Sequence, residues 1–375
     1  MIVSRGDYIL SPLGEGTLAN YDGVLRGESR LQRHQGMFGL PEPFTGSLFD
    51  RSFLKEITGA RNEEYTHFES ICIETIERGC RALHIRPDSE DTIFIISSTK
   101  GNVDLLMDNP EDERYFLGTS ARKISEYFGN RNRPMVVSNA CISGACAQIA
   151  GTALLESGRY RRAVICGADL LSRFIVSGFQ SFKALSGEPC KPFDAGRTGL
   201  NLGEAAAMMI MERTDNAGDD EWICVASSNH NDANHISGPS RTGEGSYRVL
   251  SDLLRVIPAD RIAFVNLHGT ATNYNDEMES IAMSRAGLEN VPANGLKGGY
   301  GHTLGAAGLL ETILSMRAVE NGTVLPTRGF STLGTSRPLD VSPEARATDK
   351  RAFIKILSGF GGSNAGICWQ KGGAS

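Results

Sequence analysis

The chain is predicted to adopt an α/β fold, and three features of its 375 residues predict it. Short apolar runs of strand length alternate with longer amphipathic runs of helical period. The 43 glycines gather in the turns between those runs. Two segments, 138–159 and 300–328, also echo each other. Each ends an extended run, presents a reactive side chain, and continues into a helix of small residues and a glycine.

Strands are expected at 92–97, 135–137, 162–166, 206–212, 262–267 and 352–357, and helices at 64–83, 141–157, 277–286 and 303–320. That alternation implies largely buried sheets covered by helices. The echo implies an approximate duplication in which two helix N-termini meet at one site. The halves are expected at 1–215 and 216–375, divided in the polar stretch 213–222.

Composition excludes several classes. With 40% hydrophobic and 22% charged residues, the chain is ordinary globular protein. Its core is large enough to need no disulfide. A net charge of -6 offers no basic surface for nucleic acid. The first residues lack the apolar core of a signal peptide, and no run approaches the roughly 18 apolar residues of a membrane span. A cytoplasmic location is expected. The eight cysteines form no CxxC pair and are read as reduced thiols, most of them small buried hydrophobes.

One cysteine departs from that default. In Ser138-Asn139-Ala140-Cys141-Ile142-Ser143-Gly144-Ala145 an extended run ends and a helix begins at the cysteine. A thiol at a helix N-terminus is expected to have a lowered pKa, and the N–H groups there can hold an oxyanion. Cys146, five residues on, lies on another face and is assigned to packing. A second run ends at His268-Gly269-Thr270-Ala271-Thr272, with Asp276 and Glu279 opening a helix behind it. A lone histidine at a strand end is by itself more often structural than catalytic.

A third segment, Lys297-Gly298-Gly299-Tyr300-Gly301-His302-Thr303-Leu304-Gly305-Ala306-Ala307-Gly308, places His302 at a helix start, which favours neutral imidazole. Lys297 and Glu311 are positioned to pair and fix that loop. A fourth, Ser358-Gly359-Phe360-Gly361-Gly362-Ser363-Asn364, reads as a bending loop with one aromatic gate and lacks the lysine of a phosphate-binding loop. A fifth, from Cys190 through Asp194 and Arg197 to Glu204, reads as a structural loop in which Asp194 and Arg197 brace each other. His230 and His235 have poor metal-ligand spacing, and no metal is expected.

In this order, these segments resemble those of the β-ketoacyl-acyl-carrier-protein synthases, over most of the chain. The resemblance implies the thiolase fold, two similar halves in five layers (α-β-α-β-α). It implies Cys141 as nucleophile, His268, His302 and Lys297 as catalytic partners, and Glu311, Thr270 and Thr272 as their support. The N–H groups of Cys141 and Phe360 would form the oxyanion hole, with Phe360 as gate and Phe179 and Ser358 in the acyl pocket. Two histidines with the cysteine imply the class that elongates carrier-bound chains. The reaction implied is a decarboxylative condensation of malonyl-carrier with a Cys141-bound acyl chain, an acyltransferase step.

Two departures bear on substrate. Ser358 stands where the family usually has phenylalanine, and the stretch between Ser97 and Asn139 is shorter than in fatty-acid-elongating members. A polyketide or polyene pathway is therefore as well supported as fatty-acid synthesis. No cofactor is expected, since substrates arrive on the phosphopantetheine arm of an acyl carrier protein. That acidic partner suggests Arg122, Lys123, Arg131 and Arg133 as docking residues. A homodimer is expected, or a heterodimer with a related synthase-like subunit. Two other readings are a non-catalytic chain-length-factor-like partner, against which the intact Cys141 and histidines argue, and an acyl-CoA thiolase, whose second cysteine Cys368 lacks suitable surroundings.

Overall fold

A computed structural model describes residues 1–232, 234–236 and 238–373. The first half contributes β1 (Ile2–Ser11), β2 (Thr92–Ser97), β3 (Met135–Val137), β4 (Arg162–Asp169) and β5 (Ala205–Arg213). They lie side by side as β1–β5–β4–β2–β3. Strand β5 is antiparallel to both β1 and β4, whereas β4, β2 and β3 run parallel. The second half contributes β6 (Trp222–Asn231), β7 (Ile262–Asn266), β8 (Pro292–Asn294), β9 (Asp340–Val341), β10 (Ala352–Gly359) and β11 (Ser363–Lys371). Their order is β6–β11–β10–β7–β8–β9. Again the second strand of the row is antiparallel to both neighbours and the next three are parallel. Order and direction repeat, so the chain is an internal duplication. The halves meet where Val3 and Ser4 of β1 pair with Ile223 and Trp222 of β6.

The helices complete five layers. On one outer face, α1 (His67–Ala82) packs on β1, β4 and β5, with α2 (Leu117–Tyr127) beside it. In the middle, α3 (Ser143–Glu156) and, after α4 (Arg173–Ser181), the later α7 (Ala307–Glu320) touch strands of both halves and each other. On the other outer face, α5 (Glu244–Leu254) covers β6, β10 and β11, and α6 (Asn273–Arg285) packs against α5. Every residue of β2 is buried, as are Ala205–Glu212 of β5, which is what parallel or two-sided burial demands of a sequence. Helix α7 is buried all round except near its C-terminus, as its place between two sheets requires.

Close packing of α3 on α7 sets the middle layer. A Cβ on Gly308 would lie 2.4 Å from the Ala145 nitrogen, and one on Gly144 would lie 2.8 Å from the Leu309 nitrogen. Small residues at these helix starts are thus a steric requirement, and they bring the ends of β3 and of the 295–306 loop together.

Three sequence expectations change. His302 does not open a helix: it precedes a short 3-10 turn, and α7 begins only at Ala307. Cys141 precedes α3 by two residues instead of starting it. Strands β1, β6 and β11 escape the periodicity because half-buried and glycine-interrupted runs dilute it. No helix among the described residues is long and apolar enough to cross a membrane.

Gly308→Ala is expected to lower stability by about 1–3 kcal/mol, since the methyl meets backbone that cannot step aside. Denaturant titration reads this directly, and an unchanged midpoint contradicts the close crossing.

Candidate active site

The Cys141, His268 and His302 segments converge. The Cys141 sulfur and one ring nitrogen from each histidine lie within 4.8 Å of one another, all three buried. The two imidazoles stand edge to face, 5.0 Å between centroids and 83° between planes. Each segment contains a non-glycine residue in left-handed conformation: Ala140 (φ 45), Ala271 (φ 62) and Leu304 (φ 52). Such backbone costs about 1–3 kcal/mol per residue and persists where surrounding structure over-determines it.

That structure is visible at each loop. At Cys141, the Ser143 hydroxyl accepts from the Asn139 N–H at 2.8 Å and donates to the Ala140 carbonyl at 2.6 Å, closing the turn. At His302, the main-chain N–H donates to the Asn201 carbonyl at 2.7 Å and the carbonyl accepts from Gly203 at 3.0 Å. Gly203 is obligatory there, for a Cβ would lie 1.9 Å from the Tyr300 carbonyl oxygen. Buried Asp169 accepts from the Gly305 N–H at 2.7 Å, the Thr99 N–H at 2.9 Å and the Ser98 hydroxyl at 2.6 Å, tying the His302 loop to the end of β2. At His268, Glu279 accepts from the His268 and Gly269 N–H groups at 2.5 and 2.9 Å. Asp276 accepts from Ala271 at 3.1 Å and from Phe193 at 2.7 Å. Asp276 and Glu279 therefore fold back onto the loop instead of serving the helix end. Burial pushes these carboxyls up to about 6 and about 7 respectively.

Beneath the histidines lies a buried ionic cluster. Lys297 donates to Glu311 at 2.8 Å and to the His268 carbonyl. A second ammonium, Lys355 of β10, donates to the other Glu311 oxygen and to the Leu267 carbonyl at 3.1 Å. Lys297 and Glu311 thus pair as the sequence suggested. Lys355 and Asp169 were not singled out. Lys355 has a signal, a lone lysine inside the apolar run 352–357, whereas Asp169 looks like any strand-terminal aspartate.

Protonation follows burial and charge. Burial pushes both imidazoles well below their ordinary range, and the Lys297 and Lys355 ammoniums push the same way. The helix end invoked from sequence is not the cause. The Leu304 N–H donates to His302 Nδ1 at 3.2 Å, so neutral His302 carries its proton on Nε2, which is buried without a partner. That tautomer presents a donor to the site. It does not suit a metal, which would need the Nε2 lone pair. His268 Nδ1 is likewise buried without a partner.

Cys141 corrects the sequence expectation of a lowered pKa: burial pushes its thiol up to about 11, against the opposing pull of Lys297 and of the Phe360 and Cys141 N–H groups.

The remaining residues divide. Phe360 stacks on Phe179 at 5.9 Å and meets Phe182 edge-on at 5.4 Å, so the residues expected as gate and acyl-pocket wall are in contact. Ser358 donates to Asn364 Oδ1 at 2.8 Å and sits 3.1 Å from the Ser246 hydroxyl, engaged in a buried polar knot. Thr270 and Thr272 share a 2.9 Å hydrogen bond, and Thr272 caps α6. Asp194 and Arg197 do brace each other, through main chain: the Arg197 guanidinium donates to the Asp194 carbonyl at 2.9 Å, while the Asp194 carboxylate accepts from Gly196, Ser331 and Thr332 and Arg197 faces Asp276 at 3.8 Å. The loop they belong to adjoins the site through Asn201 and Gly203. Arg122 and Lys123 lie on α2, with Lys123 over the Tyr65 ring at 5.2 Å. Arg131 and Arg133 precede β3, at the end opposite Cys141, and line an open groove with Arg122.

Replacing Glu311 with Gln leaves two ammoniums buried without a carboxylate, so a loss of about 3–5 kcal/mol is expected. Calorimetry or denaturant unfolding measures it; a loss under about 1 kcal/mol contradicts the pairing described.

Comparison with known proteins agrees with this geometry. Residues 97–217 match the β-ketoacyl synthase N-terminal domain and residues 222–331 the C-terminal domain. The tetracenomycin polyketide synthase ketoacyl synthase α subunit of Streptomyces glaucescens is 31% identical over 267 residues, 66% of this chain and 62% of its own length. Nodulation protein E of Rhizobium meliloti is 29% identical over 284 residues, 71% of this chain and 70% of its own. A β-ketoacyl synthase from Burkholderia phymatum superimposes with a TM-score of 0.85 at 22% identity, covering 99% of each chain. A chain of the complex between a ketosynthase and its chain length factor from Xenorhabdus doucetiae matches equally well, with a TM-score of 0.85 at 23% identity over 99% of this chain and 98% of that one. The chain belongs to the β-ketoacyl synthase family, the acyltransferases of the 3-oxoacyl-acyl-carrier-protein synthase class.

Proposed function

We propose that the chain condenses a Cys141-bound acyl group with malonyl-acyl carrier protein to give a β-ketoacyl-carrier product, in polyketide, polyene or fatty-acid synthesis. The observation that carries this is the meeting of a buried thiol with two neutral imidazoles, one ring nitrogen of each within 4.8 Å of the sulfur and of the other. In the first step the Cys141 sulfur bonds to the acyl carbon, and the carrier's C–S bond breaks. The thiol proton leaves on the departing carrier thiol. The tetrahedral oxyanion faces the Cys141 and Phe360 N–H groups.

In the second step malonyl loses CO2. The electron pair of the broken C–C bond moves to the thioester oxygen as an enolate, to which His302 Nε2–H and His268 donate. The enolate carbon then attacks the Cys141 thioester, the C–S bond breaks, and the cysteine leaves as a thiolate that takes up a proton from solvent to restore the thiol. Lys297 and Glu311 position His268, with Thr270 and Thr272 shaping its loop. Phe360, stacked on Phe179, separates the two half-reactions by swinging aside. No resident cofactor is required.

The partner is an acyl carrier protein in the cytoplasm. The exposed guanidinium groups of Arg122, Arg131 and Arg133 and the ammonium of Lys123 are candidate contacts for it. A dimer is favoured by the edge strand β3, half-buried along its length and paired on one side only, by β2. The partner subunit is a second copy or a related synthase-like chain. A structurally similar ketosynthase is in complex with its chain length factor, which supports the second arrangement.

Incubation with acyl carrier proteins of several chain lengths is expected to add the acyl mass to the wild type and not to Cys141→Ala, by intact mass spectrometry. Acylation of both, or of neither, contradicts Cys141 as nucleophile. Condensation also needs neutral imidazoles. Because the folded histidines are pushed below 6.5, the neutral forms persist as pH falls through 6.5. The His268 and His302 titrations, followed by NMR of the imidazole C–H groups, are therefore expected below pH 6.5; either one at or above it contradicts the electrostatic account.

A further inference from the structure

We propose that Lys355 is a positioning residue for the condensation: it tethers the strand end that carries His268 and places a second positive charge beneath the two imidazoles, which favours the enolate. The proposal rests on the function given above.

Packing does not account for an ammonium here. Lys355 is fully buried in β10 between Ile354 and Ile356, where an apolar side chain of similar length would fill the same space without the cost of desolvation. Neutralising Glu311 does not account for it either, since Lys297 already meets that carboxylate at 2.8 Å. The cluster holds two ammoniums and one firmly ionised carboxylate. The other acids near it, Asp276 and Glu279, are raised by burial to about 6 and about 7, and they accept from main-chain N–H groups of the His268 loop and of Phe193. The bases near it are His268 and His302, held neutral.

What Lys355 touches is specific. The carbonyls of Asn266 and Leu267 accept from Lys355 at 3.5 and 3.1 Å, and the next carbonyl, that of His268, accepts from Lys297. Three successive carbonyls at the end of β7 are therefore held by two ammoniums joined through one carboxylate. The tether fixes where the His268 ring stands. The Lys355 charge opposes protonation of both rings and attracts the negative charge that develops on the substrate oxygen. Burial lowers Lys355 itself to about 8, so it is charged at neutral pH.

The test is Lys355→Met, with Lys355→Gln as a second variant that keeps a donor to the Leu267 carbonyl without the charge. Glu311 keeps Lys297 in both, so a folded protein is expected, checked by circular dichroism. Cys141 acylation is expected to stay within about twofold of wild type, because the acylation step develops no charge at the histidines. Condensation is expected to fall about tenfold, less than the 10²–10³ for losing a direct donor. The acidic limb of the rate profile is expected to move to higher pH, and so are the His268 and His302 titrations, followed by NMR of the imidazole C–H groups. Equal loss of acylation and condensation would make Lys355 merely structural and overturn the proposal. So would wild-type condensation with unmoved titrations in either variant. If the wild-type protein condenses no carrier-bound substrate, the proposed function fails, while the titrations still decide the role of Lys355.

Discussion

The site depends on one carboxylate shared by two ammoniums. Glu311, on the helix between the sheets, accepts from Lys297 of one loop and Lys355 of one strand, and those lysines hold the last carbonyls of the strand that delivers His268. A buried ionic group of this kind is weak evidence for stability, because desolvation offsets most of its Coulombic gain. Its value lies in fixing geometry. Three loops, each with a left-handed non-glycine residue, converge without regular secondary structure to hold them. Carboxylates supply the rigidity instead, Glu279 and Asp276 for the His268 loop and Asp169 for the His302 loop.

The same cluster explains how neutral chemistry is maintained. Two positive charges below the rings and full burial keep both histidines as hydrogen-bond donors, and the Leu304 N–H selects the His302 tautomer that points its proton into the site. The nucleophile lies under the opposite pressure. Burial holds Cys141 as a thiol, so its proton leaves during attack and not before it. A resting thiol pushed up to about 11 is protected from adventitious oxidation, which proceeds through thiolate. Protection and reactivity are reconciled if activation comes with the substrate, when the Cys141 and Phe360 N–H groups take up the oxyanion.

Much of this was legible in the sequence, for identifiable reasons. Strand β2 falls where an apolar run places it, because a strand buried on both faces is a continuous apolar run. The duplication was visible because Gly144 and Gly308 leave no room for a side chain, which imposes the same composition on two helix starts. The Lys297–Glu311 pair was readable from spacing along one loop and helix. What sequence could not give were relations between distant segments. Asp169 and Gly305 are hydrogen-bonded across 136 positions, and Lys355 and Glu311 meet across 44. The thiol was misjudged because a helix end is visible in sequence and burial is not. Asp194 and Arg197 brace each other as read from the sequence, but through the Asp194 main-chain carbonyl, since the Asp194 carboxylate is taken up by Gly196, Ser331 and Thr332.

The central claim is that the imidazoles and the charge beneath them stabilise an enolate independently of the nucleophile. Release of CO2 from malonyl-acyl carrier protein by the Cys141→Ala variant tests it most directly. The account predicts continued decarboxylation, with water protonating the enolate to leave acetyl-carrier, and its loss when His302→Ala is added. A Cys141→Ala protein unable to release CO2, or one in which the further loss of His302 changes nothing, would contradict it.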